Sequence, residues 1–174
     1  STGATTSSIT VSPSTTTTYS VTASDANGCT AVDQVTVTVG SAVANAGPDQ
    51  TICSGSSTSL NATGGTSYQW STGATGSTIT VNPFATTTYT VTVSDVNGCT
   101  DVDQVTVNVS SVTVEAGNNQ TICLGSSATL NATGTGTFYQ WSTGQTGQTV
   151  SVNPASTTTY SVTASDANGC TAVD

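Results

Sequence analysis

The sequence predicts an all-β chain built as a tandem array of antiparallel β-sandwich repeats, each about 70 residues long. Three observations carry this expectation. Long stretches of the chain recur almost unchanged, apolar residues alternate with threonine, and turn residues punctuate the sequence at short intervals. STGATTSSITVSPSTTTTYSVTASDANGCTAVDQVTVTV opens at Ser1 and returns at Ser71 as STGATGSTITVNPFATTTYTVTVSDVNGCTDVDQVTVNV. A third copy, STGQTGQTVSVNPASTTTYSVTASDANGCTAVD, starts at Ser142, giving offsets of 70 and 71 residues. The other part of the unit, AGPDQTICSGSSTSLNATGGTSYQW from Ala46, recurs from Ala116 as AGNNQTICLGSSATLNATGTGTFYQW. Residues 1–40 therefore read as the latter part of a repeat, 41–111 as a complete repeat, and 112–174 as a repeat lacking its last strand. Half a sandwich cannot bury its apolar face alone, so the natural polypeptide is expected to extend beyond both ends.

Within the complete repeat, the leading segment Val43–Ile52 carries Gly47-Pro48, an edge or turn signal. Ser57–Ala62 puts Leu60 and Ala62 on one face, Ser67–Ser71 does so for Tyr68 and Trp70, and Thr78–Val81 for Ile79 and Val81. Thr88–Ser94 turns Tyr89, Val91 and Val93 inward, and Val105, Val107 and Val109 alternate with Thr106 and Asn108. Each run has period two, with one face dry and one wet. Asp95-Val96-Asn97-Gly98 joins the last two strands. Asp suits the start of a type I turn, and Gly takes the left-handed position of a bulged hairpin. Asp25-Ala26-Asn27-Gly28 and Asp166-Ala167-Asn168-Gly169 repeat the device.

Six or seven short strands in this pattern indicate an aligned sandwich of immunoglobulin type. Trp70 and Trp141 sit where such folds keep a core Trp on the third strand. Tyr19, Tyr89 and Tyr160 open the penultimate strand, where a tyrosine corner belongs. All five are core candidates.

Composition excludes several functions. The chain has no Lys, Arg or His, and a net charge of −9. A Ser, Thr or Cys nucleophile needs a base beside it, so no catalytic residue is assigned and the chain is not expected to be an enzyme. Nucleic acid and anionic membrane surfaces need cations to hold them. No run of 18 apolar residues exists to insert in a bilayer. Ser and Thr make up 66 of the 174 residues, but their regular alternation with Val, Ile and Tyr argues for a folded, hydroxylated surface rather than a disordered stalk. Without Lys there is also no Lys–Asn isopeptide crosslink and no trypsin site.

Five cysteines, Cys29, Cys53, Cys99, Cys123 and Cys170, fall two to a repeat without His or CxxC spacing, so disulfides in an oxidising compartment are expected and a zinc site is not. Two pairings stay open. One stays inside a repeat, Cys53–Cys99 and Cys123–Cys170. The other, Cys53–Cys170, crosses between repeats and leaves Cys29, Cys99 and Cys123 to pair outside the chain. The two loops of one repeat lie at opposite ends of such a sandwich, about 17–20 Å apart by strand length. A disulfide needs Cα atoms within about 7 Å, and that geometry leans towards the cross-repeat bond.

Other candidate sites are weak. Asp101 and Asp103 share a strand face with Asp95 nearby, as calcium ligands at a domain junction would, but no full ligand set accompanies them and Ala31 and Ala172 replace Asp101 in the other copies. A solvated edge is the plainer reading, and no metal or cofactor is assigned. Asn61-Ala62-Thr63, Asn131-Ala132-Thr133 and Asn108-Val109-Ser110 match the glycosylation sequon, which a Thr-rich chain does by chance.

AGPDQTIC, TTTYTVTVSDVNGCT and DQVTVNV together resemble the PKD-like and Ig-like repeats of large secreted proteins of Bacteroidetes-type bacteria, giant gliding adhesins among them. The resemblance runs through all 174 residues, and the missing Trp-x-Phe-Gly-Asp-Gly segment favours the broader Ig-like class. It implies type IX-type secretion, extracellular or cell-surface display, and a stalk or adhesive role. The leading expectation is a structural spacer whose partners are neighbouring repeats. Its uncharged strand edges, unguarded by Lys, also point to self-association into a fibre. A glycan-binding adhesive module is the alternative. Ice binding by rows such as Thr88, Thr90 and Thr92 would need a flat lattice that twisted sheets do not provide.

Overall fold

A computed structural model describes residues 3–174, so Ser1 and Thr2, which open the first repeat copy, lie outside the described residues. The chain is all-β, with no helix among the described residues. It divides into two compact units, one from Ser1–Asn45, Ala62–Ser77 and Val91–Asp103, the other from Ala46–Asn61, Thr78–Thr90 and Gln104–Asp174.

In the first unit, β1 (Thr17–Ser24) and β2 (Thr30–Val37) form an antiparallel hairpin, paired from Thr17 with Val37 to Ser24 with Thr30. Hydroxyls of Thr18 and Thr36 meet across it at 2.9 Å. Both faces of this ribbon are open: Val21 and Val35 are each 62% exposed. Tyr19, expected in a core, is only half-buried here. Val91 and Val105, the matching residues of the complete repeat, are almost fully buried. The same unit holds β5 (Ser67–Trp70), paired antiparallel with Val91–Ser94 of β7 (Thr87–Ser94). Gly64 precedes it at φ +105°, where a Cβ would overlap the carbonyl of Val43. Only glycine tolerates both the angle and the approach.

In the second unit, β3 (Gln50–Cys53) lies beside β8 (Thr100–Ser110), and β4 (Thr58–Asn61) pairs antiparallel with β6 (Thr78–Val81). Within this unit the strand order is β3-β8-β7. The strands expected from alternation form where the pattern placed them, and Leu60, Ile79 and Val81 are buried. One pairing departs from a purely antiparallel sandwich: β3 runs parallel to β8, Gln50 opposite Val107 and Cys53 opposite Ser110. Residues on either side of Gly47-Pro48 pair with different strands, Asn45 with Thr63 and Gln50–Cys53 with β8. Proline, unable to donate to a ladder, sits where the segment changes partner.

The third copy follows with β9 (Val114–Glu115), β10 (Ala128–Asn131), β11 (Thr133–Gly134), β12 (Phe138–Trp141), β13 (Thr149–Val152), β14 (Val162–Ser165) and β15 (Thr171–Val173). β10 pairs with β13, β9 with β11, and β12-β14-β15 form a three-stranded sheet. Val114, Ala132, Tyr139, Trp141, Val150, Val162 and Ala164 make its core, with Leu130 and Tyr160 packed partly buried at the margin. Tyr160, like Tyr19, is therefore not a full core residue, whereas Tyr89 is buried.

Candidate functional site

The candidate site is the place in the second unit where two successive repeat copies are joined. Cys53, at the end of β3, is disulfide-bonded to Cys170, which follows the β14–β15 hairpin of the next copy; the Cα atoms lie 5.3 Å apart and the residues are 117 apart in sequence. Of the two pairings left open by the sequence, the structure contains the one between copies. Cys29, Cys99 and Cys123 are free thiols.

Hydrogen bonds reinforce the bond. The amide of Ser54 donates to the carbonyl of Ser110 at 2.8 Å, fixing the end of β3 on β8. The Ser110 hydroxyl donates to the carboxylate of Asp166 in the hairpin that carries Cys170. The other oxygen of Asp166 accepts from the amides of Asn168 and Cys170, each at 2.9 Å. Gly169, at φ +81°, closes the turn by donating to the Asp166 carbonyl at 3.2 Å. One carboxylate thus shapes the hairpin and grips the preceding copy. Asp95 folds its own turn identically, accepting from Asn97 at 2.8 Å and Cys99 at 2.9 Å. Gly40, which stands where Ser110 stands one repeat later, approaches this hairpin: a Cβ built on it would be 3.1 Å from Cys99 Sγ.

These bonds depress the carboxyl pKa values. The Ser110 hydroxyl, against partial desolvation, holds Asp166 below the ordinary 3.8, with the Cys170 and Asn168 amides adding to it. At Asp25 the Cys29 amide acts first. At Asp95 desolvation pulls upward, but the Cys99 and Asn97 amides together outweigh it. A carboxyl lowered in the folded state contributes stability that is complete above its unfolded value and is lost as pH falls through its folded value. Acid should therefore loosen the hairpins only below about pH 4, the unfolded Asp range. A circular-dichroism acid titration of Asp166→Asn should show a smaller acid transition than the unaltered chain. An unchanged titration would show that Asp166 is not coupled to folding.

The remaining candidates are dispersed. Asp101 accepts from the Ala44 amide at 2.8 Å, while Asp95 is used by its own turn. Asp103 is also engaged. Among the described residues no group of three or more Asp, Glu, His or Cys could hold a metal ion. Trp70 and Trp141 are each 2% exposed and donate their indole N–H to the carbonyls of Gly76 (2.9 Å) and Gly147 (3.0 Å). Neither can stack on a ligand. Amide oxygens of the sequon residues Asn61 and Asn131 accept from Thr78 and Thr149, both at 2.8 Å. Ser110 and Asp166 escaped the sequence reading as a linked pair. Their signal was present in one exchange, Gly40 to Ser110 at equivalent positions, but a single serine among so many carries no weight by itself.

No family model matches the chain, and no curated protein does. Among solved structures, a Ca2+-stabilized adhesin that helps an Antarctic bacterium reach out and bind ice is similar at 20% identity and a TM-score of 0.33, over 92% of this chain and 55% of that one. This chain thus spans about half the length of that protein. Among the described residues no helix is long and apolar enough to cross a membrane.

Proposed function

We propose that this chain is a structural spacer, a stalk or fibre segment of an extracellular bacterial surface protein with Ig-like repeats. The observation that carries the reading is the Cys53–Cys170 bond between successive copies. Pulled along its length, a chain so bonded passes tension from residue 53 directly to residue 170. The residues between them stay slack. A disulfide of this kind also belongs to an oxidising, extracytoplasmic setting. The hydroxylated, cation-free surface supports a role that contacts little besides other repeats. The buried Trp70 and Trp141 and the half-buried Thr90 and Thr92 weigh against glycan stacking and an ice-binding lattice. Resemblance to secreted adhesin repeats points the same way.

Stretching one chain by its two ends tests this. With the disulfide intact, the 117-residue span should stay hidden, and reduction should release about 400 Å of extra contour length at 3.3–3.6 Å per residue. Full extension without reductant, or specific retention of a glycan by the chain, would sink the spacer reading.

A further inference from the structure

Every hairpin turn of the repeat contains an Asn-Gly step: Asn27-Gly28, Asn97-Gly98 and Asn168-Gly169. Asn is a thermolabile residue, and a following glycine, with no Cβ, leaves the next main-chain nitrogen least shielded. In the loss of the side-chain amide, that nitrogen gives up its proton and attacks Asn Cγ, and ammonia leaves. Water then opens the resulting succinimide to an aspartyl or isoaspartyl residue. Asn97 and Asn168 are both exposed, so water and base reach them freely.

The turn holds both reacting groups through one aspartate. Gly98 donates the N–H that the reaction must remove to the Asp95 carbonyl, and Gly169 donates to that of Asp166, each at 3.2 Å. The side-chain nitrogens of Asn97 and Asn168, the leaving groups, donate to Oδ2 of the same aspartates at 3.4 Å. Their main-chain amides donate to Oδ1 at 2.8 and 2.9 Å. A carboxylate so placed also opposes the negative charge that grows on the attacking nitrogen. The two turns differ in what holds the aspartate. Oδ2 of Asp166 accepts the Ser110 hydroxyl as well as the Asn168 side chain. Gly40, at the position equivalent to Ser110, brings no hydroxyl to Asp95.

We propose that Asn97 and Asn168 are latent deamidation sites, that Asp95 and Asp166 are positioning residues that hold them unreactive, and that Ser110 makes Asn168 the more durable of the two. The turn has to open before the Gly nitrogen can reach Cγ, so conversion proceeds at the rate of the open turn scaled by its population. Whatever anchors the aspartate lowers that population. Ser110 does this from outside the hairpin, at the turn that carries the Cys170 end of the disulfide to Cys53. Conversion there has a structural cost. An isoaspartyl at 168 routes the main chain through the former side chain and adds one carbon to it. It also leaves a free carboxylate beside that of Asp166, two residues before Cys170. The hairpin that grips the preceding copy would then lose its shape while its disulfide stays closed. This inference rests on the chemistry of the turns and does not depend on the spacer reading.

The test incubates the folded, disulfide-bonded chain, its free thiols blocked, at mildly alkaline pH beside a reduced sample unfolded in guanidinium. Peptides cut at aromatic residues are followed by mass spectrometry for conversion of amide to acid at each Asn, and isoaspartyl methyltransferase measures the isoaspartyl product. The expected result is slower conversion of Asn97 and Asn168 in the folded chain than in the unfolded one. Relative to its own unfolded rate, Asn168 should be the slower. Ser110→Ala keeps the main chain that Ser54 binds, and should speed Asn168 about tenfold, the scale for losing a hydrogen bond to a charged group, with Asn97 unchanged. Asp166→Ala should speed Asn168 by at least as much. Circular dichroism of each variant separates local from global opening. Folded conversion at the unfolded rate would overturn the proposal, as would an Asn168 rate indifferent to Ser110→Ala. Equal acceleration of Asn97 and Asn168 with a lowered unfolding midpoint would overturn it too, since a general loss of stability, and no positioning, would then explain the change.

Discussion

Trp141→Ala should destabilise the third repeat by about 3–5 kcal/mol, the range for truncating a buried Trp to Ala. The side chain is 2% exposed, sits in the core with Tyr139, Val150 and Val162, and satisfies its one polar atom on Gly147. Truncation leaves a cavity and also orphans that carbonyl. The domain has little else to spare: its buried residues are mostly Val and Ala, and small cores give marginal stability. The chain has two Trp, so the variant keeps Trp70 as a fluorescence reporter of the complete repeat. Urea unfolding followed by circular dichroism should shift strongly, while Trp70 fluorescence should shift less. Coincident shifts of equal size would mean the copies unfold as one cooperative block.

Cys170→Ala should cost about 2–4 kcal/mol, since closing a loop of this length removes much unfolded-chain entropy. Cys170 is 3% exposed, so Ala, small and apolar, fits the site better than Ser. The hydrogen bonds from Ser110 to Asp166 and from Ser54 to Ser110 remain, so the variant should fold and lose stability rather than structure. Thiol titration checks the bond itself. The unreduced chain should show three reactive thiols, Cys29, Cys99 and Cys123, and the reduced, unfolded chain five. A variant melting with the unaltered chain would mean that its unfolded state is already constrained elsewhere.

Much of this was legible beforehand because it is local. Strand positions such as Thr78–Val81 follow from side chains alternating across a pleat, and that period needs no tertiary information. Asp95-Val96-Asn97-Gly98 forms its turn through bonds spanning four residues. The dryness of Trp70 follows from its place in an inward-facing alternation. Tyr19 and Tyr160 share the local pattern of the buried Tyr89 but are half-buried, because the extent of burial depends on segments distant in sequence.

The sequence by itself determined the all-β class, the repeat period, the strand faces, the hairpin turns and the absence of cationic chemistry. Each of these follows from residue type and spacing over a few positions. Only the tertiary structure decided that Cys53 bonds Cys170, that β3 runs parallel to β8, and that Leu60 is sealed while Leu130 is not. Those depend on which distant segments fill the same space, and copies of one repeat carry the same local code whatever lies beside them.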